Sequence, residues 1–258
     1  MGKNKLARWN ELSSFEKVIQ PETGSVATND HPIKGNWNSE MFRNNNPIVL
    51  ELGCGKGEYT TGLAARFPGK NFIGIDIKGA RMWRGAKTAT EQKLPNVAFL
   101  RTRIEFISSF FSDNEVGEIW VTFPDPHPGG RNSGKRLTSP RFLNNYRKFL
   151  KDNGPVHLKT DNSELYEYTS SVVRTNNLEL IYSTPDLYSI DFESELPLAS
   201  DRESLHQTIG DRSYVTGILS IKTHYENLFL SKGMKINYLS FRLQKEKHIN
   251  DPLRKENS

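Results

Sequence analysis

From Pro47 onward, short apolar runs alternate with longer amphipathic stretches, a pattern that predicts repeated strand-helix-strand units feeding a mainly parallel sheet. Expected strands cover 47–53 (PIVLELG), 71–77 (NFIGIDI), 96–102 (NVAFLRT), 118–124 (EIWVTFP), 155–161 (PVHLKTD), 178–184 (LELIYST) and 234–243 (MKINYLSFRL). Helices are expected at 57–66, 79–93, 139–151 and 162–176. The last is capped by Asp161 or Asn162, with Glu164 in its first turn. Asn153-Gly154-Pro155 ends the helix before the fifth strand. The predicted class is α/β, a seven-stranded mainly parallel sheet with helices on both faces.

Around this unit, assigned to 47–244, the polarity changes. Residues 1–46 are polar with scattered aromatics (Trp9, Phe15, Trp37, Phe42) and read as an arm laid on the domain rather than a core of its own. The stretch 185–222 is longer than a plain connection and reads as an insertion near the substrate mouth. Residues 245–258 are charged and expected to fray.

Composition adds limits. With 258 residues, 35% apolar and 25% charged, the chain fits one globular domain with extensions. No apolar run approaches the roughly 18 residues of a membrane span, and MGKNKLARWNELSSF lacks the apolar core of a secretory signal. A cytoplasmic protein is expected, without a membrane partner and as a monomer or homodimer. Cys54 is the single cysteine, which excludes a disulfide framework within one chain, and the six histidines lack metal-ligand spacing. The net charge of +5 is mild. Its distribution is more informative: Arg131, Lys135, Arg136, Arg141, Arg147, Lys148 and Lys151 fall between Gly129 and Lys151 with no acidic residue among them. That run is either a phosphate-binding footprint or a solvated basic face.

The first strand breaks at Glu51-Leu52-Gly53-Cys54-Gly55-Lys56-Gly57, three alternate glycines followed by a helix. Glycine there permits a tight turn and a close backbone approach to a ligand. A dinucleotide fingerprint would carry its third glycine where Glu58 stands, and an acidic side chain there would face a pyrophosphate. S-adenosylmethionine carries a sulfonium and no phosphate, so it suits the loop better than NAD does. Asp76, ending a strand about 20 residues later, is placed as a ribose-binding carboxylate, with a solvated cap as the alternative. Glu51 lies within an apolar strand, where an unpartnered carboxylate costs several kcal/mol. It either faces the methionine end of the cofactor or joins an internal salt bridge.

The fourth strand ends in Phe123-Pro124-Asp125-Pro126-His127. Ligands of open parallel sheets bind beyond the carboxyl ends of the strands, so Asp125 is expected in the same crevice as the glycine loop, with its direction restricted by the flanking prolines. FPDP, the basic tract ending Lys135-Arg136-Leu137, HLKTD at 157–161 and Thr223-His224-Tyr225-Glu226 together resemble the tRNA (guanine-N7)-methyltransferase family, over about Ile48 to Leu243. The glycine loop by itself marks only a superfamily.

The resemblance implies a Rossmann-like methyltransferase fold, S-adenosylmethionine as cofactor and tRNA as partner, with methyl transfer to N7 of the variable-loop guanosine. Glu51, Gly53, Gly55, Asp76, Arg103, Ile104 and Asp125 would hold the cofactor, and Asp125 would be catalytic. Gly129, Arg131, Lys135, Arg136, Asp161, Thr223, Tyr225 and Glu226 would meet the tRNA, with Lys135, Arg136 and Arg141 on its phosphates. The family usually has Trp-His-Lys-Lys after PDP, whereas this chain has His127-Pro128-Gly129-Gly130. Arg103 stands where an acidic or amide residue commonly touches the adenine end, leaving that contact to the backbone amides of Arg103 and Ile104. His127 either stacks on RNA or is structural. Two other readings stand beside this one: a catalytically degenerate tRNA-binding protein, motivated by Gly129 and Arg103, and a methyltransferase of the same fold with another substrate.

Overall fold

The computed structural model describes residues 3–189, 217 and 220–253. Most of the expected insertion, 185–222, and the end of the tail lie outside the described residues. The sheet is made of β1 (Val18–Ile19), β2 (Ile48–Leu52), β3 (Asn71–Asp76), β4 (Val97–Arg101), β5 (Val116–Thr122), β6 (Gly154–Thr160), β7 (Leu180–Thr184) and β8 (Asn237–Leu243). The main helices are α1 (Lys3–Leu12), α2 (Thr23–Val26), α3 (Glu58–Arg66), α4 (Gly79–Glu91), α5 (Pro140–Tyr146), α6 (Ser163–Thr175) and α7 (His224–Ser231). The seven expected strands are present. An eighth, β1, comes from the arm and pairs in parallel with β4, Val18 opposite Phe99 and Ile19 opposite Leu100. A two-residue strand has no periodicity of its own, because the edge of β4 defines it.

Strand order is β1-β4-β3-β2-β5-β6-β8-β7, with β8 antiparallel to its neighbours. The chain moves outward from β2 through β3 to β4 and then returns, placing β5 on the other side of β2. The reversal opens a crevice beyond the carboxyl ends of β2 and β5, where open α/β sheets bind ligands. Strand β2 is buried throughout, as expected of a strand covered on both faces. Successive residues still separate into two layers. Ile48, Leu50, Leu52, Ile119, Val121 and Leu158 pack with α5 and α6, while Val49, Phe72, Phe99 and Trp120 pack with α3 and α4.

Local chemistry sets the helix ends. Asn162 caps α6 by accepting from Leu165 N at 2.8 Å, so Asn162 rather than Asp161 is the cap. Gly57 begins α3 with φ +69, a left-handed conformation that suits glycine. Arm residues enter the main core: Trp37 is fully buried, donates from Nε1 to Phe110 O at 2.8 Å and stacks on Phe111.

The tail departs from the expectation of fraying at 245–258. Through Leu253 it is held by two asparagines that each bind both backbone groups of a residue. Asn144 pairs with the N–H and C=O of Ile249, and Asn176 with the N–H and C=O of Asn250. Ile249 is buried against the core.

Candidate functional site

The glycine loop lies directly past β2. Gly53, Gly55 and Gly57 all have φ between +55 and +76, and the N–H groups of Gly53 and Cys54 both donate to Ile75 O on β3. Close packing excludes a side chain at two positions. A Cβ on Gly57 would sit 2.6 Å from the Phe99 ring, and one on Gly85 of α4 would sit 2.7 Å from Lys56 O. The loop is thereby pressed onto β4 and α4. At the end of β3, Asp76 accepts from Gly55 N at 2.9 Å and from Lys78 N at 2.7 Å, which fixes its carboxylate beside the loop.

Glu51 is 4% exposed. Its Oε1 accepts from Thr122 Oγ1 at 2.6 Å, and its Oε2 accepts from Thr60 N at 2.9 Å and from Thr60 Oγ1. Its hydrogen-bond partners are hydroxyls and an amide from β5 and α3, so the salt-bridge alternative does not describe them. Burial pushes the Glu51 carboxyl up to about 7, against the pull of the threonine hydrogen bonds, while Asp76 adds to the rise.

After β5 the backbone adopts left-handed φ at two residues with side chains, Phe123 (+46) and His127 (+43), on either side of Pro124-Asp125-Pro126. Phe123 N donates to Lys159 O on β6 at 2.8 Å. The far side of the segment is held by Arg136, whose Nε donates to Pro126 O at 3.0 Å and His127 O at 3.2 Å. Its Nη2 lies 2.5 Å from Glu164 Oε1, and its guanidinium sits over the Tyr168 ring. Glu164 also accepts from Gly129 N, and these two donors hold its carboxyl below the usual range. Strained backbone is thus braced by a buried cation, and Asp125 is left exposed at the crevice.

Together these pieces line a cavity of about 750 Å³. Among the expected site residues, Glu51, Gly53, Gly55, Asp76, Arg103, Ile104, Asp125, Lys135, Thr223 and Tyr225 line it, as do His127 and Arg141. Gly129, Arg131, Arg136, Asp161 and Glu226 do not. Arg131 and Gly129 are exposed outside it, and Asp161 is half-buried directly after β6, where burial raises its carboxyl pKa. Arg103 lies near Glu105, 3.5 Å away, at the mouth.

Two of the expected tRNA contacts are engaged within the chain itself. Arg136 is 2% exposed, and its guanidinium is taken up by the PDP segment and Glu164. Glu226 is fully buried: it lies 2.7 Å from Lys159 Nζ, accepts from the Tyr188 hydroxyl, and completes a reciprocal cap with Thr223 at the start of α7. A buried charge needs a compensating partner, and Lys159 supplies it. Sequence reasoning missed Lys159, Thr60 and Thr122. Lys159 carried a readable signal, a charge inside an apolar strand, as Glu51 did. Among the described residues no group of three or more His, Cys, Asp or Glu is placed to hold a metal ion, and no helix is long and apolar enough to cross a membrane.

Comparison with known proteins agrees with this arrangement. Residues 45–216 match a family described as "Putative methyltransferase". The tRNA (guanine-N(7)-)-methyltransferase of Bacteroides fragilis is 44% identical over 98% of this chain and 90% of its own length. Those of Christiangramia forsetii (46%, covering 94% and 99%) and Porphyromonas gingivalis (49%, covering 89% and 82%) are similarly related. A solved antibiotic-related methyltransferase, 16% identical, superposes with a TM-score of 0.53 over 85% of this chain and 97% of its own, which speaks for the fold alone.

Proposed function

The chain belongs to the tRNA (guanine-N(7)-)-methyltransferase family, and we propose on that premise that it transfers a methyl group from S-adenosylmethionine to N7 of the variable-loop guanosine of tRNA, in the cytoplasm. The observation that carries the reading is the single cavity in which the glycine loop, Asp76 and Asp125 meet at the crevice of β2 and β5.

The residues present suit this cofactor. The side-chain-free loop permits close approach, and the carboxyl groups of Glu51, Asp76 and Asp125 on the cavity wall tolerate a sulfonium. Glu51, Gly53, Gly55, Asp76, Asp125 and the backbone of Arg103 and Ile104 would hold it. When bound, S-adenosylmethionine supplies an electrophilic methyl group.

Guanine N7 has an in-plane lone pair and no proton, so no side chain has to act as a general base. What the chain contributes is placement, which can supply about 7–11 kcal/mol of the barrier. The Asp125 carboxylate stabilises the positive charge that the purine acquires. It also accepts from guanine N1–H and N2–H, a donor pair that adenine lacks, and so selects the base. Glu226 is the other carboxylate that could make this selection, and it is paired here with Lys159 and Tyr188. The exposed Arg131, Lys135 and Arg141 bind the tRNA backbone, and Tyr225, Thr223, Asp161 and Gly129 lie on the substrate side.

The test is to incubate the protein with unmodified tRNA and methyl-labelled S-adenosylmethionine, digest the RNA and look for 7-methylguanosine. Labelled nucleoside excludes a degenerate binding protein. Its absence across a complete tRNA pool sinks the proposal.

A further inference from the structure

Glu58, the first residue of α3, makes a bond far outside its own helix. Its Oε2 accepts from the backbone N–H of His224, the first residue of α7, at 2.7 Å and across 166 positions of sequence. A carboxylate there also complements the positive end of α7. The contact is one of three along a single face. Four residues on, a Cβ at Gly62 would sit 2.8 Å from Ile221 Cγ2, so Ile221 lies against bare helix backbone. Four residues further, Arg66 Nη1 donates to Ser220 Oγ at 3.2 Å. Positions four apart share a helix face, so one stripe of α3 carries Ser220, Ile221 and His224.

The two ends of this stripe do different work. Its beginning is continuous with the glycine loop, through the cap residue Gly57. The segment it carries leads into Thr223 and Tyr225, both of which line the cavity, with Tyr225 exposed. We propose that the Glu58-Gly62-Arg66 stripe is a positioning device for the methyl acceptor: it sets Thr223 and Tyr225 at the cavity mouth from the same helix that begins at the cofactor loop. This rests on the tRNA methyltransferase reading. It also gives Glu58 a task of its own.

Steady-state methyl transfer to unmodified tRNA, with cofactor affinity measured separately, tests the device in Glu58→Ala, Glu58→Gln and Gly62→Ala. Glu58→Ala should raise the KM for tRNA about ten-fold, equivalent to about 1.4 kcal/mol, and leave cofactor affinity unchanged. Glu58→Gln should recover most of the loss, because its amide oxygen still accepts from His224 N–H. In Gly62→Ala the added methyl displaces Ile221 and raises the KM for tRNA, while the better helix former offsets part of the packing cost, so any fall in the urea midpoint should be small. A wild-type KM for tRNA in both alanine variants overturns the device, as does a loss confined to cofactor binding. Wild-type protein that makes no 7-methylguanosine overturns the proposed function, and the device with it.

Discussion

Lys159 Nζ lies 2.7 Å from Glu226 Oε1, and neither side chain has any solvent exposure. The pair fastens the end of β6 to the first turn of α7. Burial lowers the pKa of Lys159, and Glu226 works against that fall. Removing one member leaves the other as an uncompensated buried charge, so Lys159→Met and Glu226→Gln should each destabilise by about 3–5 kcal/mol. The double variant should cost less than the sum, because the two changes remove one shared interaction. Urea unfolding of the four proteins measures the coupling. Additive costs would mean that the two charges do not stabilise each other.

Glu51 predicts a pH dependence. Its carboxyl stands at about 7 in the folded chain against an ordinary 4.5. A raised carboxyl means that the folded state keeps its proton where the unfolded chain has lost it. The contribution of this group is therefore fully present below about 4.5, falls as pH rises to about 7 and is flat above, with about 3 kcal/mol in all for cofactor-free protein. Glu51→Gln should remove that slope and be the more stable protein at pH 8. Parallel stability profiles for the two proteins between pH 5 and 8 would refute the assignment.

Asp125 is exposed at the crevice and braced by its neighbours. Asp125→Ala should weaken the cofactor only modestly, because Glu51, Asp76 and the glycine loop still hold it, while turnover falls about 10²–10³-fold, the scale seen when one preorganised electrostatic group is deleted. Single-turnover methylation with cofactor titration separates the two quantities. Undiminished turnover would remove Asp125 from the chemistry.

Adjacent cations should behave differently. Lys135 is exposed on the cavity wall, so Lys135→Ala should reduce the slope of log affinity for tRNA against log salt by about 0.9 without changing stability. Arg136→Ala orphans the carbonyls of Pro126 and His127 and should cost about 1–3 kcal/mol in urea unfolding. Filter binding across a salt series, set beside the unfolding curves, distinguishes them. Equal salt slopes for wild type and Lys135→Ala would exclude Lys135 from the RNA footprint.

The seven main strands, the glycine loop and the position of Asp125 beyond β5 were legible in the order of residues. Each depends on a local rule: apolar runs bounded by turn residues, glycine where φ is positive, and a strand end that opens into the crevice of a parallel sheet. Glu51 and Lys159 were also visible as charges inside apolar strands, which announces a constraint without naming the partner. Tertiary structure decided how those charges are occupied. Glu51 is met by Thr60 and Thr122, Lys159 by Glu226, and Arg136 by Glu164 and two carbonyls. The same holds for β1, drawn into the sheet by the edge of β4, for the tail held by Asn144 and Asn176, and for the Glu58 bond to His224. Periodicity reports which way a side chain faces relative to its own element. Whether an exposed-looking charge meets solvent, a ligand or another charge depends on distant chain folded over it, as when Glu226 at one end of the domain closes on Lys159.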